Sequence, residues 1–288
     1  MSESVKGLHV GIIGTGTMGK GIVQILAHSE CVESVSWKGR SAQSVIDAQA
    51  DIENQFQRLV SKKRLDSEQA LHLLRKIRTV NEYEDFENVD IFIEAVAEDI
   101  GTKRLVFAEL SKVSGADTML ASNTSSLSVT HLASLTKYPE NVIGLHFFNP
   151  ATVMKLAEVI TGLTTSRATV DRALDFARQL GKDPVLVNEA PGFIVNRMLI
   201  PMINEAIGIL AEDVATAEEI DKAMRLGANH PIGPLALADL IGNDVNLSIM
   251  ETLHNETGDP KYRAHPLLRK MVRGNLLGRK TGRGFFSY

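Results

Sequence analysis

The sequence predicts an α/β architecture: a doubly wound sheet with an inserted helical hairpin, followed by an all-helical C-terminal domain. Three observations carry this. Short apolar runs alternate with helix-period segments through the first two thirds of the chain, one long segment between them has helical but no strand patterning, and the strand pattern stops after Pro191. Strands alternating with helices build a parallel sheet covered on both faces. The 288 residues allow about two domains, placed here at 1–190 and 191–288.

The expected strands are Leu8–Ile13, Val32–Trp37, Ile91–Val96, Thr118–Ser122, Val142–Phe147, Leu156–Ile160 and Pro184–Val187. Ala168–Leu180 is helical, because Val170, Ala173, Leu174, Ala177 and Leu180 keep the i, i+3, i+4, i+7 spacing and Gly181 ends the run. The hairpin covers about 41–78 and breaks near Arg64–Ser67, where Asp66 and Gln69 form a capping-box pattern. Beyond Pro191, helices are expected over Phe193–Ala211, Ala217–Leu226 (capped by Thr216 and Glu219), Pro234–Asn255 and Pro266–Arg273. Met198, Leu199, Met202, Ile203, Ala206 and Ile209 give the first of these an apolar face suited to core packing or to a homodimer interface.

Composition narrows the function classes. With 44% hydrophobic and 23% charged residues the chain is an ordinary globular protein. A formal charge of −4 argues against a nucleic-acid binder. The lone cysteine, Cys31, makes no internal disulfide and fits a reducing cytoplasm, and no Cys/His cluster has metal-site spacing, so no metal is expected. Apolar runs are too short for a membrane span, and the polar N-terminus followed by a glycine-broken run reads as a buried strand, not a signal peptide.

Gly14-Thr-Gly16-Thr17-Met18-Gly19 follows the first strand and opens a helix near Met18. The first glycine permits a tight turn, the second lets backbone approach a pyrophosphate, and the third allows close helix–strand packing. This is the dinucleotide fingerprint of a Rossmann-type domain, with phosphates at the helix N-terminus. The second strand of an NAD site usually ends in a carboxylate. Here it ends Ser36-Trp37-Lys38-Gly39-Arg40-Ser41. Lys38 and Arg40 suit the 2′-phosphate of NADP, Ser36 or Ser41 suits a donor to it, and Trp37 or Arg40 suits adenine stacking. These residues favour NADP(H) over NAD(H). Farther on, His146 ends one apolar strand and Glu158 lies within another. A carboxylate there needs a partner, and adjacent strands would make the two an oriented imidazole–carboxylate pair.

Ala121-Ser-Asn-Thr-Ser125-Ser-Leu, Gly144-Leu-His146-Phe-Phe-Asn149-Pro, Val153-Met-Lys-Leu-Ala-Glu158-Val-Ile and Pro191-Gly-Phe-Ile-Val-Asn196-Arg occur in that order, and the chain ends Leu277-Gly-Arg-Lys280-Thr-Gly-Arg-Gly-Phe-Phe-Ser-Tyr. Together they resemble the (S)-3-hydroxyacyl-CoA dehydrogenases over essentially the whole chain. The resemblance implies a Rossmann domain, a dimerising helical domain and a cleft between them. It implies His146 as catalytic base, Glu158 as its partner, Ser125 and Asn196 as donors to the reacting oxygen, and Glu98, Lys103 and Asn149 on the nicotinamide side. The expected substrates are acetoacetyl-CoA and 3-hydroxybutyryl-CoA, in butyrate or fatty-acid metabolism. The family usually carries Asp where Trp37 or Lys38 stands, so the resemblance favours NAD(H) and this chain departs from it there. In that context the hairpin cluster Arg58, Ser61, Lys62, Lys63 and Arg64 suits the phosphates of CoA. Two other functions fit part of the sequence. The basic hairpin speaks against a dehydrogenase of a non-CoA hydroxyacid, and the intact Ser125, His146, Glu158 and Asn196 set speaks against a catalytically silent dinucleotide-binding protein.

Overall fold

The computed structural model describes residues 7–288, and the polar residues 1–6 ahead of the first strand lie outside them. The chain divides into two compact units, Met1–Glu189 and Ala190–Tyr288.

The first unit is built on an eight-stranded sheet. Its strands are β1 (Leu8–Ile13), β2 (Val32–Lys38), β3 (Ile77–Val80), β4 (Ile91–Glu94), β5 (Met119–Ser122), β6 (Val142–Phe147), β7 (Leu156–Thr161) and β8 (Asp183–Asn188), in the order β3-β2-β1-β4-β5-β6-β7-β8. Its helices are α1 (Thr17–His28), α2 (Ala42–Ser61), α3 (Ser67–Arg75), α4 (Ile100–Val113), α5 (Val129–Ala133) and α6 (Arg167–Gln179). Val10, Ile12, Ile22, Leu26, Val35 and Trp37 belong to the core that joins sheet and helices. The strand order reverses between β1 and β4, the crevice at which doubly wound sheets bind ligands beyond the carboxyl ends of their strands.

Two features depart from expectation. The hairpin stops at Arg75, and Ile77–Val80 is a strand paired with β2 through Val35↔Ile77 and Lys38↔Val80. Only Ile77 and Val80 are buried, and at three residues apart they fall on opposite faces of the strand, so no alternation stands out beside α3. The sheet is also not parallel throughout, because β6 and β7 run antiparallel. No helix lies between these two strands to carry the chain back for a parallel return. The antiparallel register sets His146 opposite Glu158. Local signals elsewhere act as their chemistry requires. Ser41 with Ser44 and Asp66 with Gln69 close capping boxes at the starts of α2 and α3.

The second unit contains α7 (Val195–Ala211), α8 (Ala217–Gly227), α9 (Pro234–Ile241), α10 (Asn243–Thr257) and α11 (Pro266–Arg273). The first begins two residues later than its apolar pattern, because Phe193 has φ 51°. The Pro234–Asn255 segment is two helices, divided at Gly242 with φ 106°. Ile200, Ile203, Leu235, Met250, Leu253 and Leu268 form the core. Buried Asp239 anchors the C-terminus by accepting from the backbone N–H of Phe285 at 3.0 Å and Phe286 at 2.9 Å. A Cβ at Gly284 would overlap its carboxylate, so the glycine-rich ending is a packing requirement.

Candidate active site

The glycine turn meets the demands of a dinucleotide. Gly14 has φ 122°, and a Cβ there would lie 2.2 Å from the Ala95 carbonyl. A Cβ at Gly19 would lie 2.2 Å from the Gly14 carbonyl. These two glycines therefore serve the turn and the packing. Gly16 has open space before it and is the N-cap of α1, with no side-chain cap and no acidic residue in the first turn, where Thr17 and Met18 follow. Uncapped N–H groups with room in front of them suit a pyrophosphate.

Trp37 does not stack on an adenine. Its indole is fully buried, and Nε1 donates to the Gly14 carbonyl at 2.8 Å. Strand alternation turns it inward with Val35, so it braces the glycine turn from behind. Ser36 is buried and faces the Arg78 guanidinium, and Ser41 is occupied as the cap of α2. Lys38 donates to the Asn81 carbonyl and lies 5.1 Å from the centre of the Tyr83 ring. Arg40 is exposed. Burial, then the charges of Glu109 and Glu94, push the Tyr83 hydroxyl up to about 12.

A second polar group crosses the same sheet edge. The register runs Lys38↔Ile13↔Glu94↔Ser122↔Gly144 across β2, β1, β4, β5 and β6. Lys103, in the first turn of α4, is fully buried and meets Glu94 Oε1 at 2.7 Å and Oε2 at 2.9 Å. Its Nζ also lies 3.2 Å from Glu98 Oε2. Glu94 further accepts from Ser122 Oγ at 2.6 Å and from the Val96 N–H at 2.7 Å. Glu98 Oε1 accepts from Thr124 Oγ1 at 2.7 Å and from the Ser125 N–H and Oγ at 2.6 and 3.0 Å. Burial raises the Glu98 pKa, but the Lys103 charge and the Thr124 and Ser125 hydrogen bonds outweigh it and hold the carboxyl below its usual range. Ser125 is thus tied to the Glu98–Lys103 pair.

One strand pair away, His146 Nδ1 lies 2.8 Å from Glu158 Oε2, with the residues 6% and 1% exposed. At that burial the carboxylate is shielded from water, and it orients the ring. Asn123 Oδ1 accepts from the Phe147 N–H at 2.9 Å and joins the Asn-Thr-Ser loop to the histidine strand. Asn149 is exposed and precedes a cis peptide bond to Pro150. Asn196 lies in the first turn of α7, in the second unit.

Glu94 escaped the motif reading, and Ser122, Asn123 and Thr124 stood inside the Ala121–Leu127 motif without a role. Glu94 carried a usable signal, a carboxylate within the apolar run Ile91-Phe-Ile-Glu94, the same signal that marked Glu158. At the hairpin, Ser61, Lys62 and Lys63 are exposed. Arg58 and Arg64 line a pocket of about 820 Å³ together with His28 and Thr152. Among the described residues no helix is long and apolar enough to cross a membrane, and no group of three His, Cys, Asp or Glu side chains is placed to hold a metal ion.

Residues 9–190 match the family model for the 3-hydroxyacyl-CoA dehydrogenase NAD binding domain, and residues 192–288 match the model for the C-terminal domain of the same family. The chain is 50% identical to a 3-hydroxybutyryl-CoA dehydrogenase of Clostridioides difficile, over 98% of this chain and 99% of the relative. It is 45% identical to a probable 3-hydroxybutyryl-CoA dehydrogenase of Bacillus subtilis, over 96% of both. The crystal structure of (S)-3-hydroxybutyryl-CoA dehydrogenase PaaH1 from Ralstonia eutropha superposes with a TM-score of 0.91 at 44% identity, covering 97% of this chain and 98% of that one.

Proposed function

The chain belongs to the 3-hydroxyacyl-CoA dehydrogenase family, and on that premise we propose that it interconverts acetoacetyl-CoA and (S)-3-hydroxybutyryl-CoA with a nicotinamide cofactor. The observation that carries this is the buried His146–Glu158 pair at 2.8 Å, in a chain 50% identical to a relative bearing that name. The bound cofactor supplies the hydride acceptor or donor. With Nδ1–H donating to Glu158, proton exchange falls to His146 Nε2. In oxidation this nitrogen takes the proton of the 3-hydroxyl, and in reduction it returns a proton to the developing alkoxide. Glu158 orients the ring and stabilises its charged form. Asn196 donates to the reacting oxygen, and so does Ser125 once its hydroxyl turns from Glu98 to the substrate; each such bond contributes about 3 kcal/mol where it tightens in the transition state. Glu98, Lys103 and Asn149 line the nicotinamide end.

NADP(H) is the preferred cofactor in this reading. Lys38 ends β2 where the carboxylate of an NAD site is expected, and Arg40 is exposed two residues on. The Arg58 and Arg64 pocket supports a CoA phosphate contact near the hairpin, with Ser61, Lys62 and Lys63 at its exposed tip. The second unit exposes Met198 at 73%, Val214 at 67% and Leu226 at 77%, which supports a homodimer through the C-terminal domain. A cytoplasmic enzyme fits this chemistry.

Initial rates of acetoacetyl-CoA reduction, with NADPH and NADH run side by side, test the reading. Turnover faster with NADPH is expected, and Lys38→Asp is expected to move the preference toward NADH. Turnover mainly with NADH removes the phosphate role of Lys38 and Arg40. No turnover with either cofactor overturns the substrate assignment.

A further inference from the structure

Glu94 takes no part in the proton transfer proposed above, yet both of its oxygens are engaged. It is fully buried and meets the Lys103 ammonium, the Ser122 hydroxyl and the Val96 N–H, all within 2.9 Å. Stability alone does not account for it, because replacing a buried ion pair with apolar residues of similar volume is often neutral or stabilising. Its formal charge matters more. Lys103 faces two carboxylates, Glu94 at 2.7 Å and Glu98 at 3.2 Å, so the group carries one formal negative charge in excess. It stands at the carboxyl end of β4, in register with Ile13, the residue before the glycine turn. Charges in such a dry, fixed setting act over longer range than in water.

We propose that Glu94 is a positioning residue for hydride transfer. It holds Lys103 in place and leaves the nicotinamide end of the site net negative, which favours the oxidised, cationic ring over the reduced, neutral one. The inference rests on the reading that Glu98 and Lys103 line the nicotinamide. It extends that reading to a residue behind them.

Calorimetric titration of the full-length protein with oxidised and with reduced cofactor tests it. Glu94→Gln keeps the side-chain size and the capacity to accept from Lys103, and it removes one negative charge. The ratio of Kd for the oxidised form to Kd for the reduced form is expected to rise about three- to tenfold. A purely structural lesion weakens both forms alike, so a ratio within twofold of the unsubstituted protein overturns the inference. If E94Q does not fold, the double variant Glu94→Gln, Lys103→Gln carries the test, because two neutral amides leave no buried charge unpaired and restore the original net charge. Its ratio is expected within twofold of the unsubstituted value, and a larger departure in either direction overturns the inference. Glu98→Gln separates the two levels. If it leaves both affinities unchanged, the nicotinamide reading falls and the inference with it. If it alters them while E94Q leaves the ratio alone, only the inference falls.

Discussion

The two buried charge groups of the sheet edge are built from similar materials and do different things. In one, His146 faces a single carboxylate, Glu158, across an antiparallel strand pair. In the other, Lys103 is gripped by Glu94 and approached by Glu98, with hydroxyls and N–H groups filling the remaining oxygen lone pairs. With one ring nitrogen held by the carboxylate, an imidazole can still pass a proton through the other, so Glu158 orients it without locking it. An ammonium between two carboxylates is fixed. The first arrangement suits a proton that must move and the second a charge that must stay.

The largest expected effect breaks the moving side. His146→Ala is expected to lower turnover about 10²–10⁴-fold while cofactor affinity stays within a few-fold, read by initial rates and cofactor titration. Retained turnover would remove the histidine from the chemistry. Equal loss of binding would make it a structural residue.

Glu158→Gln comes next. The amide keeps the size but accepts through a single oxygen and does not stabilise an imidazolium. Turnover is expected to fall about 10²-fold or more, read by initial rates. Turnover within a few-fold of the unsubstituted protein would mean that Glu158 acts through packing alone.

Lys103→Met addresses the fixed side. It leaves Glu94 buried beside an apolar neighbour, and breaking a buried pair in this way costs about 3–5 kcal/mol, read as a lower denaturation midpoint. A loss below about 1 kcal/mol, the range of exposed pairs, would show that water reaches this group.

The smallest effect concerns acid. The folded-state pKa of Glu98 is held below the ordinary carboxylate value of 4.5, because Lys103 and the Thr124 and Ser125 bonds favour its charged form over the opposing effect of burial. A depressed carboxylate contributes stability that is fully present above the unfolded pKa and lost as pH falls through the folded one. Unfolding midpoints measured from neutrality downward are therefore expected to drop on the acid side of 4.5, and Glu98→Gln is expected to flatten that part of the curve. An unchanged slope in the variant would place the acid sensitivity elsewhere.

Much of this was legible in order along the chain. Periodicity marked seven of the strands that β1 to β8 comprise, and the capping patterns at Asp66 and Thr216 are closed as their chemistry requires. Ile77–Val80 was not legible, since four residues with two buried side chains on opposite faces carry too little pattern. The direction of β7 was not legible either, because alternation reads the same in both senses. Trp37 misled for a related reason. An aromatic beside a basic loop resembles a stacking platform, and only its inward side of β2 turns it into a brace for Gly14.

Amino-acid order alone set most of the elements, the glycine turn and the identity of the chemical groups, because these depend on neighbours a few residues apart. The partnerships came from pairing over long separations. His146 meets Glu158 because β6 and β7 run antiparallel in one register. Lys103 meets Glu94 because the first turn of α4 folds back over the end of β4. Hydrogen bonds and ion pairs act within about 4 Å, and a chain specifies separations that small only once its strands have chosen their partners.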